Sequence, residues 1–221
     1  MGEIIRITAS DGHALDAYRA EPEAPARAGL VVIQEIFGVN DHIRAVADGF
    51  AADGFTVIAP ALFDRAEPGV ELGYIGPDRD RGREIRADVG WNGPVLDIAA
   101  AVAALNPAGR VGVVGYCWGG SLAWLAACRL DVDCSVGYYG GQIKDYLDEQ
   151  PRCPVMLQFG DKDESIPLED VDAIRAAHGG VPVHVYPGGH GFNCDRRPSH
   201  HPESAAKARE RTLAFLAEHL G

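Results

Sequence analysis

The residues best suited to chemistry stand in Gly115-Tyr116-Cys117-Trp118-Gly119-Gly120, between the β-rich run RVGVV and the apolar stretch SLAWLAA. Strand, tight turn and helix in that order form the layout of a nucleophile elbow, here with Cys117 at the apex instead of serine. Such a turn strains its central residue, and flanking glycines let strand and helix pass without a Cβ clash. A thiol at a helix start feels the positive end of the dipole, which favours the attacking thiolate. The Trp118 amide faces the developing oxyanion. The bland alternative is a tight turn around a small buried thiol, because free cysteine is often buried. The complete strand, turn and helix context favours the reactive reading.

A nucleophile of this kind needs a base and a group to orient the base. Beyond the run PVMLQF stand Gly160-Asp161-Lys162-Asp163-Glu164, and beyond VPVHVYP stand Gly188-Gly189-His190-Gly191-Phe192. The order nucleophile, acid, histidine, each just past a strand, is that of a triad at the carboxyl edge of a sheet. His190 would accept the thiol proton and later protonate the leaving alkoxide. Asp161, Asp163 and Glu164 all remain candidates for the acid, since spacing does not separate them. Glu35 follows the apolar run LVVI, where a charge is costly unless partnered. It either sits beside the nucleophile or faces solvent at a strand end. The loop after that strand offers the Ile36 amide as a second oxyanion donor.

Other reactive types read as structural. Ser121 falls inside the helix, where its hydroxyl caps or back-bonds. Cys128, Cys134 and Cys153 lie in apolar surroundings and read as core, while Cys194, near His190 in sequence, stays open. Five cysteines with no C-x-x-C pair argue against a disulfide framework and a zinc ribbon. His190, His200 and His201 lie on a loop with no carboxylate at ligand spacing, so no metal is expected.

These groups must be held by an α/β framework. Residues 3–9 and 14–20, joined by Ser10-Asp11-Gly12, read as an antiparallel hairpin at one sheet edge. Short β-rich runs then alternate with helical patterns: GLVVIQE, a helix over 41–53, FTVIAP, a helical stretch from Arg79 to Leu105, and RVGVVGY. A helix from Gly119 to Arg129, strands at 134–139 and PVMLQFG, a helix from Pro167, VPVHVYP and a helix from Pro202 to Leu220 complete the chain. The alternation predicts a mostly parallel sheet of six or more parallel strands, with helices on both faces. Gly90, Gly93 and Pro94 interrupt the 79–105 helix, whose first half is placed to line a cleft. Ala206, Leu213, Phe215 and Leu216 mark the apolar stripe of the last helix. Two stretches, 61–82 and 187–202, read as functional loops.

At 221 residues, with 47% hydrophobic and 24% charged residues, the chain is expected to form a single domain spanning 1–221 with a large core. Its net charge of −12, without any basic stripe, argues against nucleic acid and anionic membrane as partners. The start MGEIIRITASDG has no secretory signal pattern and no run spans a bilayer, so a cytoplasmic protein is expected. A monomer is the default expectation, with a dimer as the alternative.

The motifs Gln34-Glu35-Ile36-Phe37-Gly38, Gly115 to Gly120, Gly137-Tyr138-Tyr139-Gly140, the Gly160 to Asp163 turn and Gly189-His190 resemble the dienelactone hydrolase family, or carboxymethylenebutenolidases. The resemblance runs almost end to end and reaches Glu210-Arg211-Thr212-Leu213. It implies an α/β-hydrolase fold, a Cys117, Asp163, His190 triad, and no cofactor or metal. It also implies that Glu35 contacts the resting thiol and takes its proton when substrate displaces it, which would limit idle oxidation of Cys117. The implied substrate is a lactone with an exocyclic carboxylate, opened to maleylacetate through an acyl-cysteine intermediate.

For substrate binding the resemblance points to Arg83, Phe37, Tyr139 and Trp91. A second arginine has no direct match, because Asn193 and Cys194 stand there; Arg196, with Arg197 as the alternative, is its expected replacement. Two other functions stay in view. A general carboxylesterase or thioesterase would ignore Arg83, and a non-catalytic thiol sensor would keep the fold without turnover.

Overall fold

A computed structural model of the chain describes residues 2–106 and 109–221. The chain opens with β1 (Glu3–Thr8) and β2 (Ala14–Ala20), followed by β3 (Ala28–Ile33), α1 (Asp41–Ala52) and β4 (Phe55–Pro60). Next come α2 (Pro77–Val89), α3 (Asn92–Leu105), β5 (Val111–Tyr116) and α4 (Trp118–Arg129). Then follow β6 (Cys134–Tyr138), β7 (Val155–Gly160), α5 (Leu168–Ala177), β8 (Val183–Tyr186) and α6 (Pro202–Leu220). Short 3₁₀ segments lie at Leu62–Arg65 and Gly141–Tyr146.

All eight strands form one sheet in the order β1-β2-β4-β3-β5-β6-β7-β8. The first pair is antiparallel and β2 joins β4 antiparallel; every other pairing is parallel. The expected hairpin and six parallel strands are therefore present. Every residue of β3, β4, β5, β6 and β7 is buried, as strands covered by helices on both faces require, whereas β1 alternates at the edge. Their unbroken apolar runs reflect that double cover.

The order reverses at β3, which pairs with β4 on one side and β5 on the other. At such a switch point the connections leave in opposite directions and open a crevice at the strands' carboxyl ends. The register Ile33↔Gly115 brings the chain after β3 beside the chain after β5, so Glu35 and Cys117 emerge at one place. Similarly, Gly160↔Tyr186 sets the loops after β7 and β8 side by side.

Two local expectations are corrected. Only Gly90, with φ of 63°, and Trp91 separate α2 from α3; Gly93 and Pro94 lie within the first turn of α3, where a missing N–H costs nothing. In α6 the fully buried row is Ser204, Ala208, Thr212, Leu216 and Leu220, spaced four apart. Ala206 faces solvent, and Leu213 and Phe215 flank the row half-buried. The small residues in that row conceal it from a search for apolar periodicity. Among the described residues no helix is long and apolar enough to cross a membrane.

Candidate active site

Cys117 links β5 to α4 with φ 57° and ψ −118°, a conformation strained for a residue with a side chain. The glycines around it exist because backbone passes too close for anything larger. A Cβ on Gly115 would lie 1.9 Å from the Gly119 carbonyl oxygen, one on Gly119 2.5 Å from the Gln34 oxygen, and one on Gly120 2.3 Å from the Tyr138 oxygen. The Cys117 N–H donates to Tyr138 O at 3.0 Å, which ties the elbow to β6. Ten residues of α4 are buried, so the helix is anchored all round.

The thiol meets its partners from the other strand ends. His190 Nε2 lies 3.0 Å from Cys117 Sγ, and His190 Nδ1 lies 2.7 Å from Asp163 Oδ2. The three acids left open by spacing separate here by their partners. Asp161 Oδ1 accepts from the Gly188 N–H at 2.9 Å, Glu164 is exposed, and Asp163 is buried with its second oxygen held by the Ser165 N–H at 2.8 Å. Ser199 Oγ donates to the His190 carbonyl at 2.7 Å and steadies the histidine loop.

Electrostatics favour charge separation in this pair. Burial opposes a charged His190, but the adjacent thiolate and Asp163 prevail and hold its pKa up to about 10. Burial also opposes a charged Cys117, yet His190, by charge and by hydrogen bond, brings it below its ordinary value of 9.0. The other four cysteines move the opposite way: burial pushes Cys128, Cys134 and Cys194 up to about 12 and Cys153 up to about 11. Cys117 alone among the five is shifted towards the thiolate.

Glu35 is fully buried, and Arg197 Nη2 donates to its Oε1 at 2.7 Å. The thiol's hydrogen bond goes to His190 and the carboxylate's to Arg197, and none joins Glu35 to the thiol among the described residues. The Arg197 guanidinium also lies over the rings of Phe37 and Tyr74, 5.1 and 5.2 Å from their centroids. Glu35 therefore faces inward with a cationic partner, and the solvent-facing alternative is removed. Neighbouring Gln34 is buried too, donating to the Glu35 carbonyl and accepting from the Leu62 N–H.

A cavity of about 610 Å³ opens over the thiol. Phe37, Tyr139 and Arg83 line it, together with Ile36. Tyr139, at φ 38°, sets its ring edge against His190 at 5.2 Å. Trp118 is the first residue of α4, so its N–H has no carbonyl within the helix to donate to. Two lining expectations are corrected. Trp91 packs on Trp118 and Tyr146, outside the cavity lining, because the bend after Gly90 turns it inward against α4. Arg196 is exposed, 3.8 Å from Asp195, and also lies outside that lining; Arg197 takes the place at the cavity.

Tyr74, Arg79, Arg86 and Lys162 line the cavity as well and were not singled out by sequence. The clue available for the arginines was their spacing with Arg83 on one helical face. His201 caps α6 by accepting from the Ser204 N–H, which separates it from any histidine cluster. Glu35, His42 and Cys194 offer ligand-type atoms within 4.8 Å of one another, with His42 Nδ1 held by Asp195 at 3.0 Å. Arg197 already supplies the positive charge that the Glu35 carboxylate requires.

Comparison with known proteins agrees with this architecture. Residues 15–220 match the model of the dienelactone hydrolase family. A protein of Azospirillum brasilense assigned as a carboxymethylenebutenolidase is 37% identical, covering 98% of this chain and 99% of its own. The carboxymethylenebutenolidase of Pseudomonas putida is 34% identical, with 97% and 96% covered. A crystal structure of a Klebsiella pneumoniae protein assigned as a dienelactone hydrolase superposes with a TM-score of 0.84 at 32% identity, covering 97% of this chain and 99% of that one.

Proposed function

The chain belongs to the dienelactone hydrolase family, and from that premise we propose that it hydrolyses a carboxylate-bearing lactone or ester through an acyl-cysteine intermediate on Cys117. The observation that carries this reading is the continuous contact from Cys117 Sγ to His190 Nε2 at 3.0 Å and from His190 Nδ1 to Asp163 at 2.7 Å. A thiolate beside an imidazolium is ready to attack without first transferring a proton.

Attack of Sγ on the carbonyl carbon forms the C–S bond and pushes an electron pair onto oxygen. The Ile36 and Trp118 N–H groups would receive that oxyanion. Collapse breaks the C–O bond, and His190 Nε2 gives its proton to the departing alkoxide, which in a lactone stays tethered to the acyl chain. His190, now neutral, takes a proton from water as the water attacks the thioester. The second collapse returns the thiolate, and Asp163 keeps the imidazole in the tautomer that both steps need. Arg83 and Arg197, both in the cavity lining, would receive the substrate carboxylate, a role the guanidinium fork suits. Engaging Arg197 would compete with its bond to Glu35 and release that carboxylate near the thiol.

The test is hydrolysis of cis- and trans-dienelactone against a neutral aryl acetate, with wild type and Cys117→Ala side by side. Preference for dienelactone, lost in Cys117→Ala, is expected. Turnover of the neutral ester alone would remove the carboxylate-bearing substrate, and full turnover by Cys117→Ala would remove the cysteine mechanism.

A further inference from the structure

The helix α2 sorts its charges by face. It carries four arginines and four acids within Pro77–Val89. Three of the arginines, Arg79, Arg83 and Arg86, line the cavity above Cys117, whereas Asp78, Asp80, Glu84 and Asp88 are absent from that lining. Spacing of four and three residues puts the three guanidinium stems on one face. The fourth arginine, Arg81, pairs with Glu67 and Glu84 instead. Across the cavity stand Lys162 and Arg197, with Glu164 as the acid of the rim.

This arrangement runs against the whole chain, whose net charge is −12. A cleft lined by one sign of charge focuses the potential for a ligand of the opposite sign. One carboxylate needs one or two of these cations. Arg83 shares its charge with Asp80 at 3.2 Å and Arg197 with Glu35, but Arg79 and Arg86 have no ion pair among the described residues. They stand seven residues apart, about 10 Å along the helix. They flank Arg83 on either side along the same face, so the cationic row reaches beyond the pair that one carboxylate would engage.

The row is also built to stay in place. A Cβ on Gly82 would lie 2.0 Å from the Ile36 carbonyl oxygen, so α2 rests directly on the backbone that carries the Ile36 amide. Ile85, three residues on, is buried beneath the helix. The backbone from which the three arginines project is thereby seated on the Ile36 segment.

We propose that Arg79 and Arg86 form a subsite for a second anionic group, so that the preferred substrate is a lactone or ester carrying two negative charges beyond the reacting carbonyl. The inference rests on the hydrolase reading above and deepens it. The primary carboxylate sits with Arg83 and Arg197, and the second is taken up along the outer row.

Three aryl esters separate the possibilities: 4-nitrophenyl butyrate, mono-4-nitrophenyl succinate, and the mono-4-nitrophenyl ester of propane-1,2,3-tricarboxylic acid, which keeps two free carboxylates. At low salt the two-carboxylate ester should exceed the succinate in kcat/KM by tenfold or more, and the margin should shrink at 0.5 M salt. The double variant Arg79→Gln/Arg86→Gln should lose at least tenfold more on that ester than on the butyrate. Equal rates for the one- and two-carboxylate esters, or equal losses on all three, would overturn the subsite. Calorimetric binding of glutarate against butyrate reads the subsite without turnover. If no ester reacts, the hydrolase reading fails and calorimetry decides the subsite: tighter glutarate binding that depends on Arg79 and Arg86 supports it, and equal binding overturns it.

Discussion

The two walls of the cavity are built differently. On the sheet side, Cys117, His190 and Asp163 hang from loops whose backbones nearly touch: at Gly115, Gly119, Gly120 and Gly160 an added Cβ would fall within 2.5 Å of a backbone oxygen. On the other side, α2 is mostly exposed, and it makes such an approach only at Gly82, against the Ile36 carbonyl. Atoms that must meet within a fraction of an ångström are placed by backbone against backbone. Groups that need only supply charge stand on long side chains near water. On the proposed reading chemistry and selection occupy separable parts of one site, and mutations on the two walls should leave different kinetic signatures.

The largest effect belongs to the sheet side. Cys117→Ala or His190→Ala should lower kcat by about 10³-fold or more while the thermal midpoint stays within a few degrees. A comparable loss in Arg83→Gln on a neutral ester would mean that the walls are not separable. The pH profile adds to this. Activity should be lost on the acid side as Cys117, whose pKa lies below 9.0, takes up its proton. It should be lost on the basic side as His190 gives up its own near pH 10. Asp163→Asn removes a group that stabilises the imidazolium, so the basic limb should move to lower pH.

Arg197 joins the walls, since it bonds the buried Glu35 carboxylate and lies over Tyr74 from the chain just before α2. Arg197→Met would leave that carboxylate buried without its cation, at a cost of about 3–5 kcal/mol, measurable by denaturant unfolding. Glu35→Gln added to it should recover much of the loss. No recovery in the double variant would show that the arginine acts through its ring contacts instead.

The sheet-side wall was also the more legible in sequence. The elbow, the acid turn and the histidine loop each follow a β-rich run, and their glycines announce the close approaches. The choice among Asp161, Asp163 and Glu164 was not legible, because it depends on which carboxylate the β8 loop meets; Asp161 is taken by the Gly188 N–H. Nor was Tyr74, which reaches the site through irregular chain without periodicity, or the choice of Arg197 over Arg196, which adjacent positions on such a loop do not separate. Trp91 misled for a related reason: one bend after Gly90 turns it from the cavity to the core.

Gly82→Ala tests the single backbone contact of the exposed wall. The methyl would meet Ile36 O at 2.0 Å, so α2 must lift or the Ile36 loop must shift. If α2 lifts, KM for an anionic ester should rise severalfold with little change in kcat on a neutral one. If the loop shifts, kcat should fall for both, because the proposed oxyanion donor, the Ile36 amide, would have moved.

The smallest effect is expected one residue from the joint. Arg196 shares the charge and sequence neighbourhood of Arg197, but its side chain is about 60% exposed and its nearest acid is 3.8 Å away. An exposed pair at that distance contributes under about 1 kcal/mol. Arg196→Ala should therefore leave stability within about 0.5 kcal/mol and kcat/KM for anionic esters within twofold. A tenfold loss would mean that substrate draws Arg196 into the cavity, and the exposed wall would then extend beyond α2 into the 187–202 loop.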